Sequence, residues 1–345
     1  MSEHRSARAA LTRTDQRQGA RRHRRRIMVA LASVLSGVLV IAAFASVFVG
    51  GLARSFQENA SVIANPFPKG TARPAPTTTA AMNILLIGSD SRASDPDTDD
   101  GFTGGRSDTL MLAHIPADRH GVYLMSIMRD SWVNVPGHGD AKINAAYSWG
   151  GIPLTVQTVE KLLDVRIDHV AEIDFAGFKG MTDALGGVTV QSSKAFVGQG
   201  GKKFAAGPNR LHGVDALKFV RERHAFADAD YTRVRNQQAF MGGLLDAVTS
   251  KGTLTNPARL QRFVTATSKY LSVDDGLDFQ ALVALGMDYA GEANVDLHTF
   301  TMPTAGGGVS SDGQSYVAVN TVEVQELSSA LRSDDVAHWL ATEDE

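Results

Sequence analysis

Two aspartates sit where apolar runs meet Gly- and Ser-rich loops. Asp90, in Gly88-Ser89-Asp90-Ser91-Arg92, follows the run Asn83–Ile87; Asp108, in Gly105-Arg106-Ser107-Asp108, precedes the run Thr109–Ile115. Loops at strand ends are where open sheets carry their sites. If the two strands run antiparallel, both carboxylates reach one sheet edge. Two hard oxygen ligands there suit Mg2+, which takes one or two carboxylates plus substrate phosphate. An Asp after Gly is also ordinary turn chemistry, and on these residues alone that is the commoner meaning.

A cationic set lies further along. Arg129-Asp130 ends the run Val122–Ile127, and Arg221-Glu222-Arg223 closes a helical stretch carrying Leu217 and Val220. Arg233 and Gln237 are four residues apart and so share one helix face. Arg221 and Arg223 point roughly 200° apart on a continuing helix, so they converge only if the helix stops near His224. Asp228 to Asp230 then supply capping for the next helix. Arginines gathered in this way make a bidentate anion site, and guanidinium forks suit diphosphate. A surface ion-pair network with Glu222, Asp228 and Asp230 accounts for the same residues equally well.

Lys142 and Asn144 add a cation and an amide, bracketed by Trp132, Tyr147 and Trp149, for any one of which core packing is the commoner role. His114, His169 and His212 show no metal-ligand spacing and read as structural. The absence of cysteine excludes a disulfide framework, a thiolate zinc site and a cysteine nucleophile. No Walker loop, Gly-x-Ser-x-Gly elbow or His-Glu-x-x-His occurs.

The elements that must position these groups read as a mixed α/β domain over 82–340. Strands are expected at 83–87, 109–115, 122–127 and 170–174. Pro153 opens an amphipathic helix to 163, and Phe178, Met181 and Leu185 mark a helix ended by Gly186-Gly187. Further helical stretches cover about 211–221, 232–249, 257–270, 276–291 and 321–332. Strands and helices mix without strict alternation, which implies a mixed central β-sheet covered by helices on both faces.

Charge and hydropathy organise the rest. Residues 1–26 carry nine Arg against Glu3 and Asp15, while the whole chain of 345 residues is at −3, so the body is acidic. An acidic body does not suit a nucleic-acid binder. From Ile27 to Val49 no charge occurs. As a helix this stretch spans about 35 Å, enough for one membrane crossing. The arginines before it place 1–26 in the cytoplasm as a basic stub, and the body outside. Gly51 and Ala53 offer a signal-cleavage alternative, but the apolar run is too long for a usual signal core. Residues 50–81, with Pro66, Pro68, Pro74 and Pro76, read as a Pro/Thr-rich linker.

In order along the chain, Asn83–Arg92, Gly105–Leu112, Ser126–Ser131, Lys142–Tyr147, Asp174–Phe178, Asp183–Val188, Ala216–Arg223 and Asp230–Gln238 resemble the LytR-CpsA-Psr family of bacterial wall-polymer ligases. No single motif is decisive, but the ordered series is specific. The resemblance implies a phosphotransferase that moves a glycopolymer from a polyprenyl-diphosphate carrier to a muramic acid hydroxyl of peptidoglycan. It implies that Asp90 and Asp108 hold Mg2+. Arg106, Arg129, Lys142, Arg221, Arg223, Arg233 and Gln237 would grip the diphosphate, with the polyprenyl chain in an apolar channel lined by helices such as 152–163 and 175–185. Two departures stand out: Met128 where the family often has Pro, and Asn236 in the closing motif, with Arg235 one place early and therefore ranked below Arg233. A polyprenyl-diphosphate phosphatase and a non-catalytic wall-binding module are the alternatives. The second is disfavoured by the joint presence of Asp90, Asp108 and the arginines.

Overall fold

Side chains that alternate sides along one strand set the layout. In the computed structural model, which describes residues 46–69, 73–77, 79–89, 107–226, 228–289 and 295–343, the strands are Ser61–Val62 (β1), Met82–Ser89 (β2), Ser107–Ile115 (β3), Val122–Ile127 (β4), Ser131–Val135 (β5), Gly139–Lys142 (β6), His169–Asp174 (β7), Val188–Ser192 (β8), Phe196–Val197 (β9), Lys203–Phe204 (β10), Gly207–Leu211 (β11), Leu271–Val273 (β12), Leu297–Thr301 (β13), Thr304–Val309 (β14) and Ser315–Val319 (β15). The helices are 46–59 (α1), Asn144–Leu163 (α2), Phe175–Ala184 (α3), Gly213–Arg221 (α4), Ala229–Thr249 (α5), Lys251–Leu254 (α6), Pro257–Ser268 (α7), Phe279–Asp288 (α8), Thr321–Ser333 (α9) and Val336–Glu343 (α10). The basic stub, residues 27–45 of the expected spanning run, and both Asp90 and Arg106 lie outside the described residues. Among the described residues, no helix is long and apolar enough to cross a membrane.

The main sheet has the order β1-β12-β7-β2-β3-β4-β13. It is mixed, as expected: β2 pairs with β3 antiparallel and with β7 parallel. Leu85 and Ile87 of β2, with Leu110 and Leu112 of β3, join Val156, Val159 and Leu163 of α2 and Leu327 and Leu331 of α9 in one core. The intervening Leu86, Gly88, Thr109 and Met111 line a cavity on the opposite face. There α3, α4 and α5 build a second core around Met181, Phe219 and Phe240. A period of two thus buries both faces of β2 and β3, each under different helices.

The expected helices at 211–221, 232–249, 257–270, 276–291 and 321–332 correspond to α4, α5, α7, α8 and α9. The helix assigned to 152–163 begins earlier, at Asn144, and is interrupted at Gly151 (φ 62°), with Pro153 just inside its second part. That positive φ suits glycine.

The segment expected as a linker takes part in the domain from residue 53. Ser61 and Val62 pair with Ser272 and Val273 at the sheet edge. Arg73 Nε and Nη2 both donate to Glu160 Oε1, at 2.9 and 2.5 Å, and Nη2 also donates to the Ile167 carbonyl at 2.6 Å. Proline spacing alone cannot separate a tether from a strap that is pinned by one such fork. Glu160 is 3% exposed, and Arg73, with the Ile167 N–H at 3.0 Å, is what its carboxylate is paired with. Arg73→Ala is expected to lower the unfolding free energy by about 3–5 kcal/mol, because it strands a buried carboxylate. Urea unfolding of the full chain checks this, and an unchanged midpoint would count against the docking of this segment.

Candidate active site

The antiparallel pairing of β2 and β3 carries an irregularity at its functional end. Gly88 pairs with Thr109, but Ser89 pairs with Ser107, leaving Asp108 as the extra residue of a β-bulge. Bulges re-aim side chains and recur next to active sites. Asp108 lines the cavity, and its Oδ1 accepts a hydrogen bond from Arg129 Nη1 at 2.8 Å. Gly88 faces the same space; a Cβ there would meet Thr109 Cβ at 3.0 Å.

The arginines converge because α4 stops where it must. The helix ends at Arg221, and Glu222 is extended (φ −66°, ψ 127°), so Arg221 and Arg223 both line the cavity. Glu222 makes the turn: its carboxylate accepts from the backbone N–H of Gln199, His224 and Ala225, at 2.9, 2.8 and 3.1 Å. It is therefore a buried turn anchor and takes no part in a surface network. Arg221 lies over the Phe175 ring at 4.5 Å, and its Nη2 is 3.9 Å from Asp108 Oδ2. Arg233 and Gln237 face the cavity from one side of α5, as their spacing implies.

This cluster is pre-charged. Arg129 Nε and Arg233 Nε are buried donors without a hydrogen-bond acceptor among the described residues. Burial, then the neighbouring charge of Arg129, hold the Arg233 guanidinium below its ordinary pKa. Two cations with buried spare donors form a site that a polyvalent anion would complete.

Two carboxyls absent from the expected site set manage that charge. Asp130 and Asp230 hydrogen-bond to each other. Lys142 Nζ is 3.3 Å from Asp130, and Arg233 Nη2 is 3.1 Å from Asp230. Burial, foremost, and the hydrogen bond with Asp130 raise Asp230 above the usual carboxylate range, against the pull of Arg233. Burial also pulls Asp130 upward, but the hydrogen bond with Asp230 and the charges of Arg129 and Lys142 outweigh it and hold Asp130 low. The sequence signal for this pair is slight: one acid follows Arg129, and the other lies three residues before Arg233.

Below the cations the cavity, about 770 Å3, continues between apolar walls that include Leu86, Met111, Phe178, Met181, Leu217 and Phe240. Helix α3 lines it, as expected of 175–185, together with α4 and α5. The helix at 152–163 does not. Its apolar stripe, Val156, Val159 and Leu163, is spent in the core on the other side of the sheet, which periodicity could not distinguish from a channel wall. Lys142 is absent from the lining and is instead the counter-ion of Asp130.

The sequence match decides the family. The LytR_cpsA_psr family model covers residues 53–333. The chain belongs to the LytR_cpsA_psr family. This LytR_cpsA_psr member is 40% identical over 235 residues to LcpB of Corynebacterium glutamicum, a probable cell wall biosynthesis protein, covering 66% of this chain and 55% of that one. It thus spans about half the length of that relative. It is 32% identical over 258 residues to TagU of Enterococcus faecalis, named a polyisoprenyl-teichoic acid–peptidoglycan teichoic acid transferase, covering 73% of this chain and 79% of that one. The crystal structure of B. subtilis TagV shares its fold, with a TM-score of 0.62 and 24% identity over 74% of this chain and 97% of that one.

Among the departures from the family pattern, Arg235 turns away from the cluster and donates to Asp228 and to Thr232 Oγ1. Asn236 Nδ2 donates to the Phe219 carbonyl at 3.3 Å and Gln238 Nε2 to the Phe300 carbonyl at 2.8 Å, so both tie α5 to its neighbours. Trp132 packs on Tyr316 and Trp149 stacks on His138. The Tyr147 phenol donates to Glu172, and burial together with that carboxylate raises its pKa. Of the three histidines read as structural, His114 bridges Asn83 and Asp334 and His169 pairs with Asp274, while His212 is exposed beside Asp183.

Proposed function

We propose that this chain transfers a glycopolymer from a polyprenyl-diphosphate carrier to a hydroxyl of peptidoglycan, releasing polyprenyl phosphate. One observation carries the reading: a single cavity joins an arginine cluster to an apolar channel, which is the polarity of a lipid diphosphate. The family relationship supports it, since the TagU relative is named for a polyisoprenyl-linked donor and a peptidoglycan acceptor.

In this reading Arg129, Arg221, Arg223 and Arg233 bind the diphosphate through paired N–H donors, and Gln237 adds an amide. The acceptor oxygen attacks the phosphorus that bears the sugar. The bridging P–O bond breaks, and polyprenyl phosphate leaves with the electron pair as the hydroxyl proton passes to solvent. Phosphoryl transfer of this kind needs positioning and charge stabilisation more than covalent help. Fixed guanidinium groups supply both, because they are already oriented by Asp108, Asp130 and Asp230 before the substrate arrives.

Asp108 fits a magnesium ligand. It lines the cavity, its Oδ1 accepts from Arg129 Nη1 at 2.8 Å, and its Oδ2 lies 3.9 Å from Arg221 Nη2, beyond hydrogen-bond distance. Magnesium is a hard cation that takes few carboxylates plus phosphate oxygens, and Asp108 is such a carboxylate at the cation end of the cavity. Asp108 and Asp90 would hold the ion, which when bound neutralises diphosphate charge. The apolar run 27–49 would anchor the chain in the bacterial cell membrane, with 1–26 cytoplasmic and the catalytic domain outside.

The test incubates the full chain in detergent with Mg2+ and a polyprenyl-diphosphate-linked saccharide, with and without uncrosslinked peptidoglycan. Polyprenyl phosphate release that requires the acceptor, with sugar appearing on the glycan, is the expected result. Release indifferent to the acceptor would replace the transferase by a phosphatase.

A further inference from the structure

Helix α8 breaks the rule that surface helices turn charge to water. Its sequence is FQALVALGMD, and Gln280, Val283, Ala284 and Met287 share one face at spacings of three and four. All four are exposed, Val283 at 40% and Met287 at 67%. Its one formal charge, Asp288, is engaged by Arg119 Nε at 3.1 Å. The helix is nevertheless firmly seated. Phe279 packs on Phe56 with ring centroids 5.9 Å apart, and the hydroxyl of Tyr289, directly after the helix, donates to the Gly121 carbonyl at 2.8 Å.

Its position in the fold identifies what covers it. The loop before α8 is pinned at the start of β7, where the Val170 N–H donates to Asp274 at 2.8 Å. Tyr289, beyond its far end, meets the turn between β3 and β4 through Gly121. The helix therefore lies across the end of the sheet opposite Asp108. Met82 and Ser89 mark the two ends of β2, about 25 Å apart at the rise of a strand. Phe56, on which α8 packs, is seven residues beyond Val49, the end of the apolar run 27–49. The intervening chain spans at most about 25 Å even when fully extended.

We propose that the exposed apolar face of α8 rests in the headgroup–acyl boundary of the membrane, holding the arginine cluster at the far side of the domain. The proposal rests on the anchor assigned to residues 27–49. The face exposes Val283, Ala284 and Met287 beside the single polar Gln280, with Asp288 paired, so its apolar area can enter such an interface, and a second contact beside a single anchor fixes the orientation of the domain.

The chain has no cysteine, so single thiols can be placed at will. Met287→Cys, Val309→Cys and Val38→Cys full-length chains would each carry an environment-sensitive fluorophore. They would be reconstituted in phosphatidylcholine–phosphatidylglycerol vesicles containing nitroxide lipids. Val309 is as exposed as Met287, at 67%, and lies in β14, beyond the opposite end of the sheet. The expected result is a blue-shifted Met287 probe, quenched about twofold or more by nitroxides near the headgroup, with the Val309 probe unchanged. A Met287 probe that behaves like the Val309 probe overturns the proposal. So does one shielded from water yet untouched by nitroxide, which would assign the face to a second copy. Quenching at Val38 without quenching at Met287 retains the anchor and rejects the docking face. The reverse rejects the anchor and retains the face.

Discussion

Arg221→Ala is expected to lower kcat/KM for the lipid-linked donor by about a hundredfold or more while leaving the melting temperature almost unchanged. The structural cost is small because the side chain is 47% exposed and, among the described residues, its carboxylate partner Asp108 Oδ2 is 3.9 Å away. An exposed ion pair of that length contributes at most about 1 kcal/mol. The catalytic cost is large because a donor aimed at developing phosphoryl charge is worth on the order of 3–4 kcal/mol in mutational series. The guanidinium is fixed over Phe175, so it meets the diphosphate with little further ordering. Arg221→Lys restores the charge but not the planar fork, and recovers only part of the loss if binding is bidentate. Turnover of the Ala variant within about threefold of the parent would remove Arg221 from the clamp, because loss of a preorganised donor costs far more.

The sequence was most informative where local pattern and global fold agree. Short apolar runs marked β2, closed by Gly88, and β3, β4 and β7, and the helical segments read from the sequence correspond to α3, α4, α5, α7, α8 and α9. The arginine cluster was legible too, because Arg233 and Gln237 share a helix face and the conditional end of α4 came out at Arg221. What could not be read depended on third dimensions that periodicity does not carry. The stripe of α2 fits a core and a channel equally well, and only the side of the sheet it occupies separates them. The bulge that re-aims Asp108 is a one-residue slip between strands and leaves no mark in composition. Arg73 pins a proline-rich segment through Glu160, a partner 87 residues away, and no local signal announces such a fork.

The least legible pair supports the second expectation, which concerns pH. Asp230, raised by burial and by its hydrogen bond with Asp130, retains a proton to higher pH than an ordinary aspartate. Below its folded-state pKa the pair carries one negative charge. Above it, a second charge appears 3.1 Å from Arg233, inside the set of cations that would hold the diphosphate. A unit charge a few ångströms away costs on the order of 1–4 kcal/mol at the effective dielectric of such sites. Donor binding is therefore expected to weaken as pH rises through that pKa, and the loss falls on KM, because the charge opposes bound substrate and transition state alike. Stability moves in the same direction for this group. The folded state binds the proton more tightly than the unfolded chain, so the contribution of Asp230 is present at low pH and declines as pH rises through its folded value. Asp230→Asn replaces the shared proton by a permanent amide donor to Asp130. It is expected to keep low-pH activity and to flatten the rise in KM with pH, with the melting temperature losing the matching part of its pH dependence. A rise in KM with pH in the Asn variant identical to that of the parent would show that another group governs it, and would leave the carboxyl pair a purely structural tie between α5 and the turn after β4.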